Sequence, residues 1–588
     1  MTTDECHAET PSLKHKRSRS KSLVRARKRR IHQQRHHPTC APHISYPRTP
    51  RPPSLFETYI TSQSFLPPHE HHAFFTTLRR PLPLCFRIRS ISTLHEWHSL
   101  LHTLPPHDAT TSIQRLPLHA PHTYQLPSHL PDLYPKLRHW ITSRTRGGQI
   151  SRQEYVSMIP VHLLSIQSHH RVLDLCASPG SKTIQALDAL YDSHHMSGAR
   201  GGGGGGGGGE EEEEEETTVP LGFVMANELD VRRAYVLAHR TRETLKERMV
   251  SMAVVTHNAC RFPNVLAPCR RVHGQQPQQQ QQQHGGINSS PSSPKPFDRI
   301  ICDVPCSGDG TLRKDTKIYK TWHPSYVMTL HSLQLRIAKR GIALLHVGGY
   351  MTYSTCSFHP VENEAVVAAL LLTGCVQLVH GTELVGPKGL EGVRYREGLS
   401  SWKVLNDECT ILQRDSEEGK EWPDTLWPPR EEGIARVLKR CIRMVPQDND
   451  TGGFFIALLK KVKDFDDSSK NGGSRKDVMV TPQMPCHRLY ECSNVESPSQ
   501  EKCRYFVRSQ GGSTSISKSK TFKLSRGLAD YLCDQQGSSK LNLVYAGHAM
   551  TQPTDHDKKK GIPTEKKGIP TEKRKEFQLE KRLVDLSK

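Results

Sequence analysis

The sequence lacks the features that mark secreted and membrane-spanning proteins. It contains no secretory signal, no CxxC pair and no apolar run of about 18 residues or more. Its 16 cysteines do not follow the spacing of a disulfide framework. These absences predict free thiols in a reducing compartment and no membrane partner.

Metal-binding patterns are also missing. The histidine-rich patch at residues 69–72 lacks the HExxH spacing that places two ligands on one face of a helix. We therefore expect a solvated surface patch there, and no metal cofactor.

Apolar residues are scarce, whereas basic residues are abundant. Hydrophobic residues make up only 35% of the 588 residues, so we expect part of the chain to be unfolded. The formal net charge of +22 favours a polyanionic partner, because Lys and Arg that neutralise phosphates release counterions. Charge that serves solubility alone is the alternative.

The first 150 residues divide into two parts. Residues 1–50 are basic and rich in proline, which predicts a disordered arm for nuclear import or RNA binding. The arm favours the nucleus, including the nucleolus, with the cytoplasm or the mitochondrion as alternatives. Asp4, Glu5 and Glu9 disfavour a mitochondrial transit peptide. Residues 51–150 carry apolar clusters between prolines, and we interpret them as a small α/β module that binds RNA.

Residues 151–462 alternate short apolar strands with helical stretches, which predicts βαβ units and a mostly parallel, doubly wound sheet. Low-complexity segments at 193–219 and 262–296 are interpreted as surface insertions. Residues 463–588 are polar and are predicted to be mostly disordered. Strands are predicted at residues 171–175, 222–226, 252–256, 298–302, 350–355 and 454–459.

The helix before the fifth of these strands has the clearest pattern. Its sequence, LHSLQLRIAKRG, is predicted to place Leu330, Leu333 and Ile337 on one face. Gly341 is predicted to cap its carboxyl end.

The first two strands of this domain end in polar segments. The first leads into CASPGSK, where Gly180 lets the backbone approach a ligand and the following helix start offers free N–H groups. The second ends in ANELD, where Glu228 and Asp230 are candidates to accept hydrogen bonds from ribose hydroxyls. Ligands of doubly wound sheets bind at this carboxyl edge.

Two other strands deliver cysteines to the same edge. CDVPCSGDGT places Asp303 and Cys306 after one strand, and YSTCS places Cys356 after another. We expect a helix to begin after Cys356, so that its N-terminus favours ionisation of the thiol. Cys176 and Cys302 are expected to serve packing.

A pair of thiols suits methylation of cytosine at carbon 5. This carbon becomes nucleophilic only after a thiolate adds at carbon 6 and breaks the aromaticity of the ring. After methyl transfer from a sulfonium donor, the proton on carbon 5 must leave and the thiol must be expelled. A nearby acid such as Asp303 can hydrogen-bond the edge of the base.

The segments DLCASPGSK, ANELD, CDVPCSGDGT and YSTCS resemble the motifs of the Nop/Sun family of RNA cytosine-5 methyltransferases. The eukaryotic tRNA branch is the most similar, because ISRQEYVSMIP (150–160) and TGGFFIALL (451–459) also match it. The resemblance covers roughly residues 54–462 apart from the two insertions. It implies a Rossmann-like methyltransferase fold, S-adenosylmethionine as the cofactor and tRNA as the substrate.

The resemblance also implies roles for individual residues. Cys356 is the nucleophile, Cys306 assists release of the product, and Asp303 and Lys182 line the base pocket. The residues implied in binding S-adenosylmethionine are Cys176, Ala177, Ser178, Pro179, Gly180, Ser181, Lys182, Glu228, Asn258 and Asp303.

The sequence departs from the family pattern in several places. Glu228 stands where the family has Asp, and Asn258 stands where it has an acid. We expect Glu228 still to bind the ribose and the carbonyl of Asn258 to accept from the adenine amino group. The motif ASPG replaces the commoner AAPG. Of the PUA-like RNA-binding domain of this branch, only a partial segment near residues 500–552 is expected.

Three functions remain open from the sequence. The leading one is methylation of cytosine carbon 5 in tRNA, and the second is the same chemistry on ribosomal or messenger RNA. The third is a catalytically weak RNA-binding scaffold, which Asn258 and the short PUA-like segment favour. The intact cysteines, Asp303 and Lys182 argue against the third. The oligomeric state stays open.

Overall fold

A computed structural model describes most of the chain between residues 54 and 465. The basic arm at 1–50, most of the two low-complexity insertions and the tail beyond 550 lie outside the described residues. In the part of the chain that the structure describes, no helix is both long and apolar enough to cross a membrane. The described residues are 54–63, 65–104, 113–118, 122–198, 220–245, 248, 251–263 and 297–465, with short pieces at 491–493, 504–507, 520–523, 528, 543–546 and 548–550.

An antiparallel sheet forms the N-terminal module, with its strands in the order β2-β3-β1-β4. Aromatic side chains fill its core, and the rings of Phe86 and Trp97 meet edge to face at a centroid distance of 5.2 Å. The strands are β1 (Leu84–Ile88), β2 (Gln114–Arg115), β3 (Thr123–Leu126) and β4 (Ile150–Arg152).

The two helices that precede this sheet pack against the next domain. Phe56 meets Trp322 at a ring distance of 5.3 Å, and Phe74 meets Phe358 at 5.1 Å. Both pairs belong to one apolar cluster, which joins residues 55–78 to the chain beyond residue 300.

The central sheet contains the strands that the sequence predicts, with shifts of a few residues at their ends. The strand predicted at 350–355 begins earlier, at Leu345. The strands are β5 (Arg171–Asp174), β6 (Phe223–Asn227), β7 (Met252–Val255), β8 (Phe297–Asp303), β9 (Leu345–Thr355), β10 (Val376–Val379), β11 (Arg396–Glu397), β12 (Ile442–Met444) and β13 (Phe454–Lys461).

The order of these strands places a crevice at the centre of the sheet. Strands β9, β8, β5, β6 and β7 lie side by side and parallel, with β13 antiparallel to β9. The chain runs outward from β5 to β6 and β7 and then returns to the other side of β5 with β8. Helices between the strands cover the sheet, so the predicted Rossmann-like fold is confirmed. Such a reversal of strand order opens a ligand crevice at the carboxyl ends of the strands.

Fourteen α-helices are described. The helices are Leu55–Ser62, His71–Leu78, Ile91–His102, Leu130–Leu133, Pro135–Arg146, Tyr155–Leu163, Ser181–Gly198, Val231–Leu245, Ile318–Thr321, Pro324–Leu344, Glu364–Leu371, Glu417–Lys420, Glu432–Val437 and Pro446–Asn449.

The prediction that Gly341 caps a helix is wrong. The helix begins at Pro324 and continues through Gly341 to Leu344. A Cβ atom at position 341 would lie 2.8 Å from Met351 Sδ and 2.9 Å from Leu175 Cδ1. The glycine therefore allows the helix to approach the sheet closely.

The predicted apolar face of this helix is displaced by about one residue. Ile337 is buried as expected, but Leu330 and Leu333 are only partly buried. Two polar residues, His331 and Gln334, occupy the centre of the buried face. The Nδ1 atom of His331 and the Nε2 atom of Gln334 have partners inside the protein, which offset part of the cost of burying polar atoms.

A buried ionic cluster joins the N-terminal module to the central domain. Asp188 accepts hydrogen bonds from Arg87 at 2.9 Å, from Arg89 at 2.7 Å and from Arg248 at 2.9 Å. The side chains of Asp188 and Arg87 are about 5% and 4% exposed. Because unpaired charges are costly in such surroundings, this cluster fixes how the module lies on the domain.

Short strands are also described beyond residue 490. Three strand pairings form a small antiparallel sheet, whereas the strand Leu543–Ala546 pairs with β7 at the edge of the central sheet. The prediction of a partial PUA-like segment stays a prediction. The strands are β14 (Glu491–Ser493), β15 (Arg504–Val507), β16 (Lys520–Lys523), β17 (Leu543–Ala546) and β18 (His548–Met550).

Candidate active site

The loop after β5 is anchored to the neighbouring strand. The N–H of Ala177 donates to the carbonyl of Asn227 at 2.9 Å, and the N–H of Gly180 donates to the carbonyl of Ala177 at 2.7 Å. Gly180 has a φ of +98°, and a Cβ there would lie 2.5 Å from Leu237 Cδ1. Glycine is thus required both by the backbone conformation and by contact with a helix. The helix that follows begins at Ser181.

Two arginine side chains from one helix donate hydrogen bonds to other residues of this loop. Arg233 donates to the carbonyl of Ser178 at 3.2 Å, and Arg240 donates to the carbonyl of Pro179 at 3.2 Å. Cys176 is half-buried, and burial raises the pKa of its thiol well above the usual range. The loop is therefore held from the side of the helix Val231–Leu245.

The two acidic residues after β6, Glu228 and Asp230, differ in burial and in their hydrogen bonds. Glu228 is only 5% exposed, and its Oε1 accepts the N–H of Asp230 at 3.0 Å. Asp230 is exposed and caps the following helix by accepting from the N–H of Arg233 at 3.0 Å. Of the two ribose candidates, only Glu228 lies inside the crevice.

Asn227 is a residue that the sequence did not single out. Its amide donates to the carbonyls of Leu175 and His257, both at 3.0 Å, and its oxygen accepts the N–H of His257 at 2.9 Å. It therefore joins the ends of β5, β6 and β7. The available signal was its position as the one polar residue at the end of an otherwise apolar strand.

Asn258 lies at the surface after β7. Its side-chain oxygen accepts the N–H of Cys260 at 2.9 Å and caps a short 3-10 helix. One of the two lone pairs of that carbonyl is thus already engaged, and one remains for a ligand.

Asp303, at the end of β8, contacts one helix and one neighbouring strand. Its Oδ2 accepts from Lys182 Nζ at 2.8 Å, and its Oδ1 accepts from Ser354 Oγ at 2.7 Å. Lys182 also donates to Ser157 Oγ at 2.9 Å and lies 5.0 Å from the centre of the Phe454 ring. The structure therefore brings together Asp303 and Lys182, which the sequence assigned to one pocket.

The two predicted cysteines face each other. Their sulfur atoms lie 3.3 Å apart, and both residues are half-buried. The hydrogen bond to Cys356 raises the pKa of Cys306 well above the usual range, and burial raises it further. Either sulfur can donate the hydrogen bond that joins the pair.

The predicted helix directly after Cys356 is absent. The helix begins only at Glu364, because a hydrogen-bonded turn intervenes. In this turn, Asn363 accepts from Thr355 Oγ1 at 2.5 Å and donates to the carbonyl of Ser357 at 2.8 Å. Cys356 therefore does not lie at the N-terminus of a helix, and that expectation is wrong.

Three buried acids near the site were missed by sequence reasoning. Burial raises the pKa of Asp174 and Asp309 to about 7, and it also raises the pKa of Glu362. Asp174 is the last residue of β5, and it accepts a hydrogen bond from Thr183 Oγ1 at 2.8 Å. Asp309 accepts from the N–H of Phe358 at 2.7 Å. Among the described residues, no group of three or more His, Cys, Asp or Glu side chains is placed to hold a metal ion.

Known proteins are similar to a large part of this chain. A family model described as 16S rRNA methyltransferase RsmB/F matches residues 243–460. A multisite-specific tRNA:(cytosine-C(5))-methyltransferase of Schizosaccharomyces pombe is 34% identical over 437 residues, which are 69% of this chain and 59% of that protein. A protein of that description from Saccharomyces cerevisiae is 32% identical over 465 residues, which are 75% of this chain and 60% of that protein.

A solved structure is also similar. A methyltransferase homolog protein from Pyrococcus horikoshii is 20% identical, with a TM-score of 0.40, and the match covers 67% of this chain and 91% of that one. The chain spans about three fifths of the length of the two curated yeast relatives.

Proposed function

We propose that the protein belongs to the RsmB/F methyltransferase family, whose model matches residues 243–460, and that it methylates carbon 5 of cytosine in tRNA. The resemblance to Nop/Sun enzymes that the motifs indicated is thereby confirmed. The observation that carries the proposed chemistry is the 3.3 Å separation of Cys306 and Cys356 at the carboxyl edge of a Rossmann-like sheet.

Cys356 carries out the addition to the base, and Cys306 assists the elimination. The Cys356 thiol loses its proton to water, its sulfur forms a bond to carbon 6, and the electrons of the ring double bond become available at carbon 5. Carbon 5 takes the methyl group that S-adenosylmethionine supplies when bound. The proton on carbon 5 then leaves to water, its electrons restore the double bond, and the bond from carbon 6 to sulfur breaks. Cys306 donates its hydrogen bond to the departing sulfur.

Asp303 and Lys182 hold the base in this proposal. The carboxylate of Asp303 accepts a hydrogen bond on each oxygen, which fixes its orientation at this edge of the sheet. Lys182 is 10% exposed at its side chain, so its charge acts in surroundings of reduced solvent screening. A carboxylate in that position accepts from the amino group of cytosine.

The residues of the crevice fit S-adenosylmethionine. Each carboxylate oxygen of Glu228 has one described partner, Asp230 or Arg233, and a carboxylate has sites for about four. Glu228 therefore retains capacity for ribose hydroxyls. The turn from Cys176 to Gly180 lies beside it, since Ala177 is bonded to the end of β6.

Trapping of the covalent adduct tests the assignment. Cys306→Ala should accumulate an adduct between protein and RNA that survives denaturation, because attack proceeds and release fails. Cys356→Ala should form none. Cys409→Ala, which changes a half-buried thiol outside the pair, is the matched control and should behave as the wild type. An adduct in Cys356→Ala instead of Cys306→Ala would exchange the two roles.

The substrate is tested with labelled S-adenosylmethionine and unmodified RNA. We expect label on tRNA. Label on ribosomal or messenger RNA alone would favour the second reading, to which the family name of the matching model also points. No transfer to any RNA would favour a catalytically weak RNA-binding scaffold.

We assign RNA binding in part to the N-terminal module. The helix Pro135–Arg146 exposes Lys136 and Arg146, which suits contact with phosphates. Changing both to Glu should weaken tRNA binding and reduce its dependence on salt. Unchanged affinity would contradict this assignment.

We further propose that the basic run at residues 14–30 directs the protein to the nucleus. A fluorescent fusion in which Lys and Arg of this run are replaced by Ser should lose nuclear accumulation. Unchanged localisation with weaker RNA binding would make the run an RNA-binding arm instead.

A further inference from the structure

A buried carboxylate lies behind the two cysteine loops. Glu362 has no exposed surface. Its Oε1 accepts the backbone N–H of Ser307 at 2.8 Å, and its Oε2 accepts from Ser307 Oγ at 2.7 Å. Both oxygens therefore bind the residue that directly follows Cys306.

A second side chain extends this contact to the other side of Cys306. Gln334 Nε2 donates to Glu362 Oε1 at 2.9 Å and to the carbonyl of Pro305 at 3.0 Å. The backbone before Cys306 and the backbone after it are thus held through one carboxylate. Gln334 comes from the buried face of the helix Pro324–Leu344, which makes the support rigid.

The same cluster reaches the Cys356 loop. Ser307 Oγ lies 3.1 Å from Ser357 Oγ, so the residues that follow the two cysteines contact each other. Glu362 itself stands on the turn that follows Cys356. The cluster therefore joins the two loops at the residues that directly follow the two cysteines.

Burying a carboxylate is costly, and it is tolerated only where hydrogen bonds compensate the lost water. Uncharged groups of Ser307 and Gln334 supply compensating hydrogen bonds to Glu362. An apolar side chain would fill this volume at lower cost. The carboxylate is explained by its ability to hold a backbone N–H, a hydroxyl and an amide at one point.

We propose that Glu362 is a positioning residue for the release half of the reaction. It fixes the Cys306 sulfur against the Cys356 sulfur, and this inference rests on the proposed function. Attack on the base needs Cys356 alone, whereas expulsion of Cys356 needs both sulfurs in contact. Loss of Glu362 should therefore slow release more than attack.

The test measures turnover and the adduct fraction together, with the full chain, S-adenosylmethionine and unmodified tRNA. Glu362→Ala should lower turnover by about tenfold or more, since small displacements of reacting groups are costly. Its steady-state fraction of denaturation-resistant adduct should rise severalfold above that of the wild type. Cys306→Ala gives the upper limit of that fraction.

Conservative and milder variants separate positioning from folding. Glu362→Gln retains an acceptor for Ser307 N–H and Gln334, so it should restore most of the turnover and lower the adduct fraction. Ser307→Ala removes only one hydroxyl and should raise the adduct fraction to an intermediate level. If Glu362→Ala does not fold, the adduct fraction of Ser307→Ala tests the positioning role of Glu362.

Glu364→Gln is the matched control. Glu364 is also fully buried and lies two residues further on, but it pairs with Arg443 at 2.5 Å instead of binding the Cys306 loop. Its adduct fraction should equal that of the wild type even if its stability falls. A rise as large as that of Glu362→Ala would show a general effect of destabilisation and overturn the proposal.

Two other outcomes are distinct. An unchanged adduct fraction in both Glu362→Ala and Ser307→Ala, with adduct in Cys306→Ala, would overturn this inference and leave the proposed function standing. Absence of adduct in Cys306→Ala itself would overturn the proposed function, and the inference with it.

Discussion

The backbone N–H of Gly310 donates a hydrogen bond of 2.9 Å to the carbonyl oxygen of Cys356. On its other side, the carbonyl of Gly310 accepts the N–H of Gly453 at 2.8 Å. A Cβ atom at position 310 would lie 2.3 Å from the Gly453 oxygen and 2.8 Å from the Cys356 oxygen. Backbone atoms close this space from two directions, so the position of the Cys356 loop depends on the absence of a side chain at Gly310.

Gly310→Ala should therefore displace the Cys356 loop. We expect the free energy of unfolding to fall by about 1–3 kcal/mol through overpacking. The rate of methyl transfer should fall by roughly 10- to 100-fold, because a small shift of the reacting atom is costly. Urea unfolding and initial rates with tRNA measure the two effects.

Gly433→Ala is the matched control for that substitution. Gly433 lies in the helix Glu432–Val437, and an added Cβ meets no atom within 4 Å. Removing a glycine from a helix should raise the free energy of unfolding by about 0.5–1 kcal/mol and leave activity unchanged. If Gly310→Ala behaves in the same way, the close contact with Cys356 is not a constraint.

The part of the site that could be predicted consists of residues at strand ends. Asp303, Cys306 and Cys356 each follow an apolar strand, and a parallel sheet brings the carboxyl ends of its strands to one edge. Position in the sequence therefore indicated position in space. The resemblance to a family added the order of the two thiols, which no pattern of hydrophobicity contains.

The part that could not be predicted depends on contacts between distant segments. Glu362 binds Ser307, which lies 55 residues away, and nothing in its neighbourhood distinguishes it from a surface glutamate. The expected helix after Cys356 failed for a related reason. Polar side chains of the turn, including Asn363, satisfy the backbone locally and delay the helix to Glu364.

Asp303→Asn tests the charge beside the cysteines. The amide oxygen can still accept from Lys182, and the amide nitrogen can donate to the hydroxyl of Ser354, which is free to rotate. We expect the free energy of unfolding to fall by about 1–3 kcal/mol, because the largely buried Lys182 loses its charged partner. Methyl transfer should fall by about 100-fold or more if the carboxylate stabilises charge on the base.

Asp407→Asn provides the comparison. Asp407 also accepts from a serine, Ser325 at 2.7 Å, but its side chain is 42% exposed and lies outside the site. Methyl transfer by this variant should equal that of the wild type. Equal activity of Asp303→Asn and Asp407→Asn would remove Asp303 from the proposed chemistry.

Asp188→Asn should loosen the N-terminal module. Burial by itself raises the pKa of Asp188, but the charges of Arg89 and Arg87 hold it well below the usual range. Removing the carboxylate charge leaves Arg87 buried without its partner, which should cost about 3–5 kcal/mol. Arg248→Ala, which changes a more exposed partner of Asp188, should cost only about 1 kcal/mol. Urea unfolding would contradict this ranking if the two variants lost the same stability.

The raised pKa of Asp174 predicts that the free energy of unfolding falls as the pH rises. Burial, with a smaller effect from the charge of Asp303, raises its pKa to about 7, whereas an unfolded Asp has a pKa of about 3.9. Between these values the folded protein holds a proton that the unfolded chain has released. The contribution of Asp174 is therefore fully present below about pH 4 and is lost as the pH rises to about 7, by roughly 1.4 kcal/mol for each pH unit.

Asp174→Asn replaces the titrating carboxyl group with an amide that does not titrate in this pH range. The difference in free energy of unfolding between wild type and variant, measured in urea from about pH 4.5 to 7.5, should change with a slope of about one proton. Asp309, whose pKa is also raised to about 7 by burial, remains in both proteins and cancels from the difference. Thr183 keeps an acceptor in the variant, so its hydrogen bond does not create a pH dependence. A difference that is flat over this range would mean that Asp174 is already ionised in the folded protein.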